Sequence, residues 1–389
     1  MVGSPLKIMI VIGTRPEAIK MAPVVHELAR HAPRLSTFVC TTGQHRELLA
    51  PTLGTLELRP DRNLDIMTDD QSLSRLTARL FELLDPVVVE QQPDWMLIQG
   101  DTTTAMVAAA VAFYRRVRIG HVEAGLRTSD LGRPFPEELN RRVADLCSDL
   151  CFAPTPWARN NLLREGVPAF RVHVTGNTVV DAVLAMAARP YDERVGPLAA
   201  LPRTRRWVLV TAHRRESFGA PLARIRQAIE CLARTFADSI HVIMPVHPNP
   251  NVAATVAGMA DMANCSVMPP LDYPDLVHVM RRAALILTDS GGIQEEAPTF
   301  GVPVLVLREK TERPEAIDAG VARLVGTDPD AIVAEASRIL SEGRPGAPVA
   351  NPFGDGAASR RIVEILCRTA SDTANSYLPP GTAEGIGST

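Results

Sequence analysis

The chain has 389 residues, with 41 Lys+Arg against 44 Asp+Glu and a formal net charge of −3. Hydrophobic residues make up 46% and charged residues 22%, which excludes the low-hydrophobicity, high-charge signature of disorder. Near-neutral charge without a basic run argues against nucleic acid as the main partner, and the length predicts two domains rather than one core. Six cysteines in a chain this long make no disulfide framework. Cys147 and Cys151 have no second Cys/His pair at metal-ligand spacing, so no metal is expected. No signal peptide precedes the strand-like Lys7–Gly13, and the longest apolar stretch, near Val107–Tyr114, is too short for a bilayer. A cytoplasmic protein with no membrane partner is expected.

In chain order, short β-branched runs alternate with longer amphipathic segments. The pattern predicts a strand at Ile8–Ile12, a helix at Glu17–His31, a strand at Leu35–Cys40 and a helix at Arg46–Leu53. A helix at Leu73–Gln91, a strand at Trp95–Ile98 and an alanine-rich helix at Thr103–Arg115 follow. Then come a strand at Arg118–Glu123, a helix at Pro136–Cys147 and a short strand at Cys151–Ala153. The rhythm restarts after Asn177. Strands are predicted at Trp207–Thr211, His241–Val246, Ser266–Met268, Leu285–Thr288 and Val302–Leu307. The matching helices are Pro221–Thr235, Tyr273–Ala283, Ile293–Pro298, Ala331–Ser341 and Gly356–Arg368. Ala187–Arg206 reads as a connector or surface helix, and Ser371–Thr389 as a mobile end. Repeated β-α units imply parallel sheets covered on both faces, hence two doubly wound α/β domains in tandem. Ligands of such sheets sit beyond the carboxyl ends of the strands, and the cleft between two halves is the natural site.

The strand ends carry the polar residues. Gly13-Thr14-Arg15-Pro16 gives a tight turn into a helix, where Arg15 and Lys20 are either anion ligands or solvated charges. No GxGxxG fingerprint is present there. Asp101 and Thr102 follow the next strand, as a helix N-cap or as groups that hold a polyol or accept a proton. Glu123 ends another strand, where a site or ion-pair role is favoured. Glu137 and Glu138 open a helix, and offsetting its dipole is the plain alternative to chemistry. His213 follows a strand and is the best acid/base candidate among nine histidines, while His247 fits a turn. Ser290, Gly291 and Gly292 form the most phosphate-like loop, with Glu296 one turn on and Arg313 a further positive charge.

Taken together, GTRPEAIKMAPV, TGQHRELL, GDTTTAM, HVEAGLRT, PFPEELNR, VTGNTVVDA, TAHRRESFG, HPNP, DSGGIQEEAP and TERPEA resemble the non-hydrolysing UDP-N-acetylglucosamine 2-epimerases, in order from Gly13 to Ala316. The resemblance implies two Rossmann-like domains facing a cleft, of the GT-B type. It places an N-terminal domain at 1–177, a UDP-binding domain at 178–354, a final helix at 355–368 returning to the first domain, and a mobile tail at 369–389. It also implies interconversion of UDP-GlcNAc and UDP-ManNAc without cofactor. In that route UDP leaves C1 as the C2 proton is lost, giving 2-acetamidoglucal, and UDP then re-adds. Carried over by motif, Asp101, Glu123 and Glu137 are the catalytic carboxylates and His213 holds or protonates the leaving UDP. Arg15 and Lys20 are implied at UDP-binding positions, Ser290, Gly291 and Gly292 at the diphosphate, Glu296 on the ribose, Arg313 as a phosphate or catalytic contact, and Leu271 and Leu276 toward uracil. Gln44, His45 and Arg46 match a site for a second UDP-GlcNAc as activator. A homodimer and a place in polysaccharide biosynthesis are further family expectations.

Three positions depart from the family pattern. Leu276 stands where many relatives carry Phe, Glu47 where some regulated members carry Gln, and Asp70 where some carry Arg. Rival readings are an epimerase of another UDP-2-acetamido sugar, such as a 2,3-diacetamido uronic acid, a GT-B glycosyltransferase, and a UDP-sugar sensor without catalysis.

Overall fold

A computed structural model describes residues 5–43, 46–68, 71–212, 219–246, 256–343 and 349–373. They build two parallel sheets. In the first, β1 (Leu6–Ile12), β2 (Leu35–Thr41), β3 (Arg62–Asn63), β4 (Trp95–Gln99), β5 (Arg118–Val122), β6 (Leu150–Ala153) and β7 (Val172–Val174) lie in the order β3-β2-β1-β4-β5-β6-β7. The second sheet orders β10-β9-β8-β11-β12-β13, from β8 (Arg206–Thr211), β9 (Ile240–Pro245), β10 (Cys265–Met268), β11 (Leu285–Thr288), β12 (Val304–Val306) and β13 (Ala322–Leu324). In each, the strand order reverses direction beside the first strand of the sheet, the switch point where doubly wound sheets bind ligands. The central strands are apolar on both faces, because helices cover both; Met9 through Ile12 and Trp95 through Ile98 are all buried.

The expected elements are present, with shifted ends. Leu73–Gln91 and Leu285–Thr288 occupy the expected residues. Three outcomes have local causes. Strand β5 stops at Val122, and Glu123 lies beyond it in the left-handed region (φ 68°), so it is a turn residue rather than a strand residue. The segment between Ala187 and Arg206 contains no helix; Pro190, Pro197 and Pro202 interrupt it, while Leu198 and Leu201 anchor it in the core. The final helix is Ala358–Thr373, past the expected Arg368, and the Thr369 hydroxyl donates to the Ile365 carbonyl within the extra turn. The short elements β3, β7, β13 and the helix Pro156–Arg164 complete the alternation.

Helix α1 (Arg15–Arg30) and helix α7 (Thr178–Ala187) join the halves. Helix α7 packs on α1, on Tyr273–Arg282 and on Gly291–Glu296. The final helix lies on α1 and α7, its start capped by Asp181, whose carboxylate accepts from the Ser359 amide at 2.8 Å and the Ala358 amide at 3.2 Å. All six cysteines are free thiols. Among the described residues, no helix is long and apolar enough to cross a membrane, and no group of three or more His, Cys, Asp or Glu is arranged to hold a metal ion.

Candidate functional site

The site begins where β1 turns into α1. Thr14 is the N-cap, but its hydroxyl donates to Glu17 instead of capping. Glu17 Oε2 accepts from the Gly13 amide (3.1 Å) and the Thr14 hydroxyl (2.8 Å), while Oε1 accepts from the Thr102 hydroxyl (2.9 Å). A Cβ on Gly13 would sit 2.5 Å from Thr104 Oγ1, so only glycine fits where the two turns touch. Arg15 reaches into the second half, its Nη2 donating to the Leu271 carbonyl at 3.1 Å.

Beyond β4, Thr102 is the N-cap of α4 (Thr103–Tyr114), accepting from the Ala105 amide at 3.0 Å. The cap role is therefore filled by Thr102, and the Asp101 carboxylate is left for another task. It pairs with Arg141, and its carbonyl accepts from Asn140 Nδ2 at 2.9 Å. Both partners stand on α5 (Glu137–Cys147), and the Asp101 side chain remains 30% exposed. The two acids that open α5 separate in the same way. Glu138 is fully buried and accepts from the Thr128 amide and from Arg142, a structural duty, whereas Glu137 is half-buried.

Glu123 leaves β5 with a positive φ, a conformation that costs a non-glycine residue roughly 1–3 kcal/mol and marks functional sites. Its carboxylate pairs with Lys20 and accepts from Asn177 Nδ2 at 2.9 Å. Burial, together with the nearby Glu295 charge, pushes its pKa up in spite of Lys20. Asn177 also caps α7, accepting from the Val179 amide at 3.0 Å. Behind this turn His121 is fully buried; its Nε2 donates to the Gly100 carbonyl (2.8 Å), and Nδ1 lies 2.7 Å from Asp145 Oδ1.

The second half supplies the loop after β11. Ser290 is the N-cap of Gly291–Glu296, and its side chain makes no cap hydrogen bond. Arg313 lies flat against this loop: a Cβ on Gly291 would meet its Cζ at 2.5 Å. The guanidinium is held from behind by Glu295 (Nε–Oε1 2.7 Å) and Glu312 (Nη1–Oε1 2.6 Å). The other oxygen of Glu295 lies 3.1 Å from Lys20 Nζ. Burial would raise the Glu295 pKa, but Arg313 and Lys20 outweigh it and hold the carboxylate below its ordinary value. For Glu296 the balance goes the other way: burial and then Glu295 push it up to about 8, outweighing Lys20, the Tyr273 hydroxyl and Arg15. Leu271 is buried and Leu276 packs partly buried against the core.

Arg15, Lys20, Asp101, Glu123 and Glu137 thus come from turns and helices that follow strands of the first half, and Leu271, Leu276, Ser290, Gly291, Gly292, Glu296 and Arg313 from those of the second. Among the described residues, direct contacts across the cleft include Arg15–Leu271, Lys20–Glu295 and a hydrogen bond from Thr155 to Glu315. His213, Gln44 and His45 lie outside the described residues, and Arg46 is the first residue of the helix Arg46–Thr55. Sequence reasoning missed Glu17, Arg141, Asn177 and the role of Glu295. Each lies inside a recognised motif, yet at least one partner of each is far away in the chain.

Comparison with known proteins gives a consistent result. The family model described as UDP-N-acetylglucosamine 2-epimerase matches residues 26–367. The UDP-N-acetylglucosamine 2-epimerase of Escherichia coli (strain K12) is 46% identical over 371 residues, covering 93% of this chain and 98% of that protein. A crystal structure of UDP-GlcNAc 2-epimerase from Neisseria meningitidis bound to UDP-GlcNAc superposes with a TM-score of 0.86 at 40% identity, covering 93% of this chain and 100% of that one. The Methanocaldococcus jannaschii UDP-GlcNAc 2-epimerase, in complex with UDP-GlcNAc and UDP, gives 0.80 at 32% identity, with 93% and 100% covered.

Proposed function

The chain belongs to the non-hydrolysing UDP-N-acetylglucosamine 2-epimerase family, and from that premise we propose that it interconverts UDP-GlcNAc and UDP-ManNAc. The route proposed is elimination and re-addition. The C2–H of the sugar is not adjacent to a carbonyl and is too weakly acidic for a carboxylate to remove alone. Coupling its loss to departure of UDP from C1 lowers the barrier and leaves 2-acetamidoglucal. Re-addition of UDP at C1 with protonation of C2 from the opposite face inverts that carbon.

Inversion needs acid/base groups on both faces of the ring. The observation that carries the reading is that Asp101 and Glu123 follow β4 and β5 at the mouth of the first sheet and Glu137 opens α5, the helix whose Arg141 pairs with Asp101, while the Ser290–Gly292 loop follows β11 of the second. We assign the three carboxylates to C2 and its surroundings, with Asp101 and Glu137 flanking it. Arg15, Lys20, Ser290, Gly291, Gly292 and Arg313 are assigned to the diphosphate side, Glu296 to the ribose, Leu271 and Leu276 to the uracil, and His213 to the leaving UDP. Asp101→Asn tests the assignment: C2–H exchange and epimerisation should be lost together, and unchanged rates would remove Asp101 from the chemistry.

Four further points belong to the same reading. The domains divide at 177/178, and the final helix returns to the first domain, supported by its seat on α1 and α7. A homodimer is supported by apolar side chains left exposed on α4 and α5, namely Phe113, Tyr114, Leu139 and Leu146. A cytoplasmic setting, in which the enzyme would serve polysaccharide biosynthesis, is supported by six free thiols. Activation by a second UDP-GlcNAc would involve Gln44, His45 and Arg46.

A further inference from the structure

We infer that Glu17 is a positioning residue that locks the Arg15-bearing turn to the Asp101-bearing turn, and so fixes the distance between the diphosphate side and the sugar side of the first domain. This rests on the epimerase reading above. Glu17 is 1% exposed, and its carboxylate points at neither half of the cleft but into the joint between two turns. One oxygen collects the Gly13 amide and the Thr14 hydroxyl, immediately before Arg15. The other collects the Thr102 hydroxyl, immediately after Asp101.

Thr102 links the joint to a helix. Its hydroxyl hydrogen goes to Glu17 while its oxygen accepts the Ala105 amide at the start of α4, so turn, carboxylate, hydroxyl and helix form one chain. Steric contact removes the remaining slack. Gly13 admits no Cβ against Thr104, and Thr104 Oγ1 is itself 3.2 Å from Thr42 Oγ1. A buried carboxylate is a costly way to join two turns, because charge leaves water. Burial outweighs its supporting hydrogen bonds, pushing Glu17 up to about 7. The three oxygen contacts need an acceptor at every point, which the carboxylate provides once ionised, above about 7, and a glutamine does not.

The test uses the full chain and three variants, Glu17→Gln, Thr102→Val and Thr102→Ser, each checked for folding by its thermal midpoint. Misplacing a reacting group by about 1 Å costs up to roughly 100-fold. Glu17→Gln and Thr102→Val should therefore each lower kcat on UDP-GlcNAc about tenfold or more, with KM within about threefold. Thr102→Ser, which keeps the hydroxyl, should restore most of kcat. The double variant Glu17→Gln/Thr102→Val should fall no further than the worse single one, as expected for two ends of one link. Amide hydrogen exchange gives a readout that needs no turnover: Thr102→Val should accelerate exchange at Gly13, in the other turn. Folded single variants with wild-type kcat, additive losses, or Gly13 exchange unmoved by Thr102→Val would overturn the inference. A wild type without epimerase activity would contradict the epimerase reading instead, and the exchange result would still decide the link.

Discussion

Lys20 Nζ lies 3.1 Å from Glu295 and also pairs with Glu123, so one buried ammonium is shared by a carboxylate from each half of the molecule. Burial alone would lower the Lys20 pKa, but Glu123 and Glu295 drive it above the ordinary lysine value. Lys20 is thus a fixed cation and not a proton acceptor at neutral pH. Lys20→Met leaves two buried carboxylates without it, and breaking a buried pair costs about 3–5 kcal/mol. Urea denaturation should show that loss; an unchanged midpoint would contradict the shared-cation role. Lys20→Arg keeps the charge but brings a planar fork in place of a compact ammonium, so activity should fall even if the fold survives.

Gly291 and Arg313 make a second demand on shape. Because a Cβ at position 291 would overlap the guanidinium, Gly291→Ala must push Arg313 off Glu295 and Glu312. Overpacking of this kind costs about 1–3 kcal/mol. The variant should bind UDP more weakly by titration calorimetry, and wild-type affinity would show that Arg313 is not tied to the diphosphate loop.

The sequence motifs single out charged residues around the two sheets but not the way they are joined. Lys20, Glu123 and Arg313 stand out because they are charged residues in recognisable motifs. Glu295 is not singled out by its motif, and nothing local says that its two oxygens face cations 275 residues and 18 residues away. The Asp101–Thr102 ambiguity was of the same kind, since only the backbone shows which side chain takes the Ala105 amide. The long elements were legible from their periodicity. The two-residue β3 and the three-residue β13 were not, because so short a run has no period. The proline-broken connector was ambiguous because its buried Leu198 and Leu201 mimic an amphipathic face.

The raised carboxylates set a pH dependence. Glu296 is pushed up to about 8 and Glu17 up to about 7, from 4.5. In the pH window between 4.5 and those values the unfolded chain has released these protons while the folded chain still holds them, so stability falls as pH rises. The Glu296 contribution is present below its unfolded value and lost by about pH 8, an effect on the order of a few kcal/mol. Thermal midpoints from pH 5 to about 8.5 should therefore decline less steeply for Glu296→Gln than for the wild type. Parallel curves would contradict a buried, proton-holding Glu296.

Tyr114 is 72% exposed and stacks on Phe81 with ring centroids 6.2 Å apart, while Leu146 on α5 is 81% exposed. Apolar groups this exposed on adjoining helices suit a second copy of the chain. Light scattering should report a dimer for the wild type and a shift toward monomer for Tyr114→Glu/Leu146→Glu. A dimer unaffected by the double change would place the interface elsewhere.

The most direct test of the central claim is to incubate the purified protein with UDP-GlcNAc alone in D2O and follow the sugar by NMR. The account predicts UDP-ManNAc carrying deuterium at C2, with UDP-GlcNAc acquiring the same label on return. UDP-ManNAc that keeps its C2 proton would contradict proton loss at C2, free ManNAc with UDP would indicate hydrolysis, and an unchanged spectrum would exclude UDP-GlcNAc as the substrate.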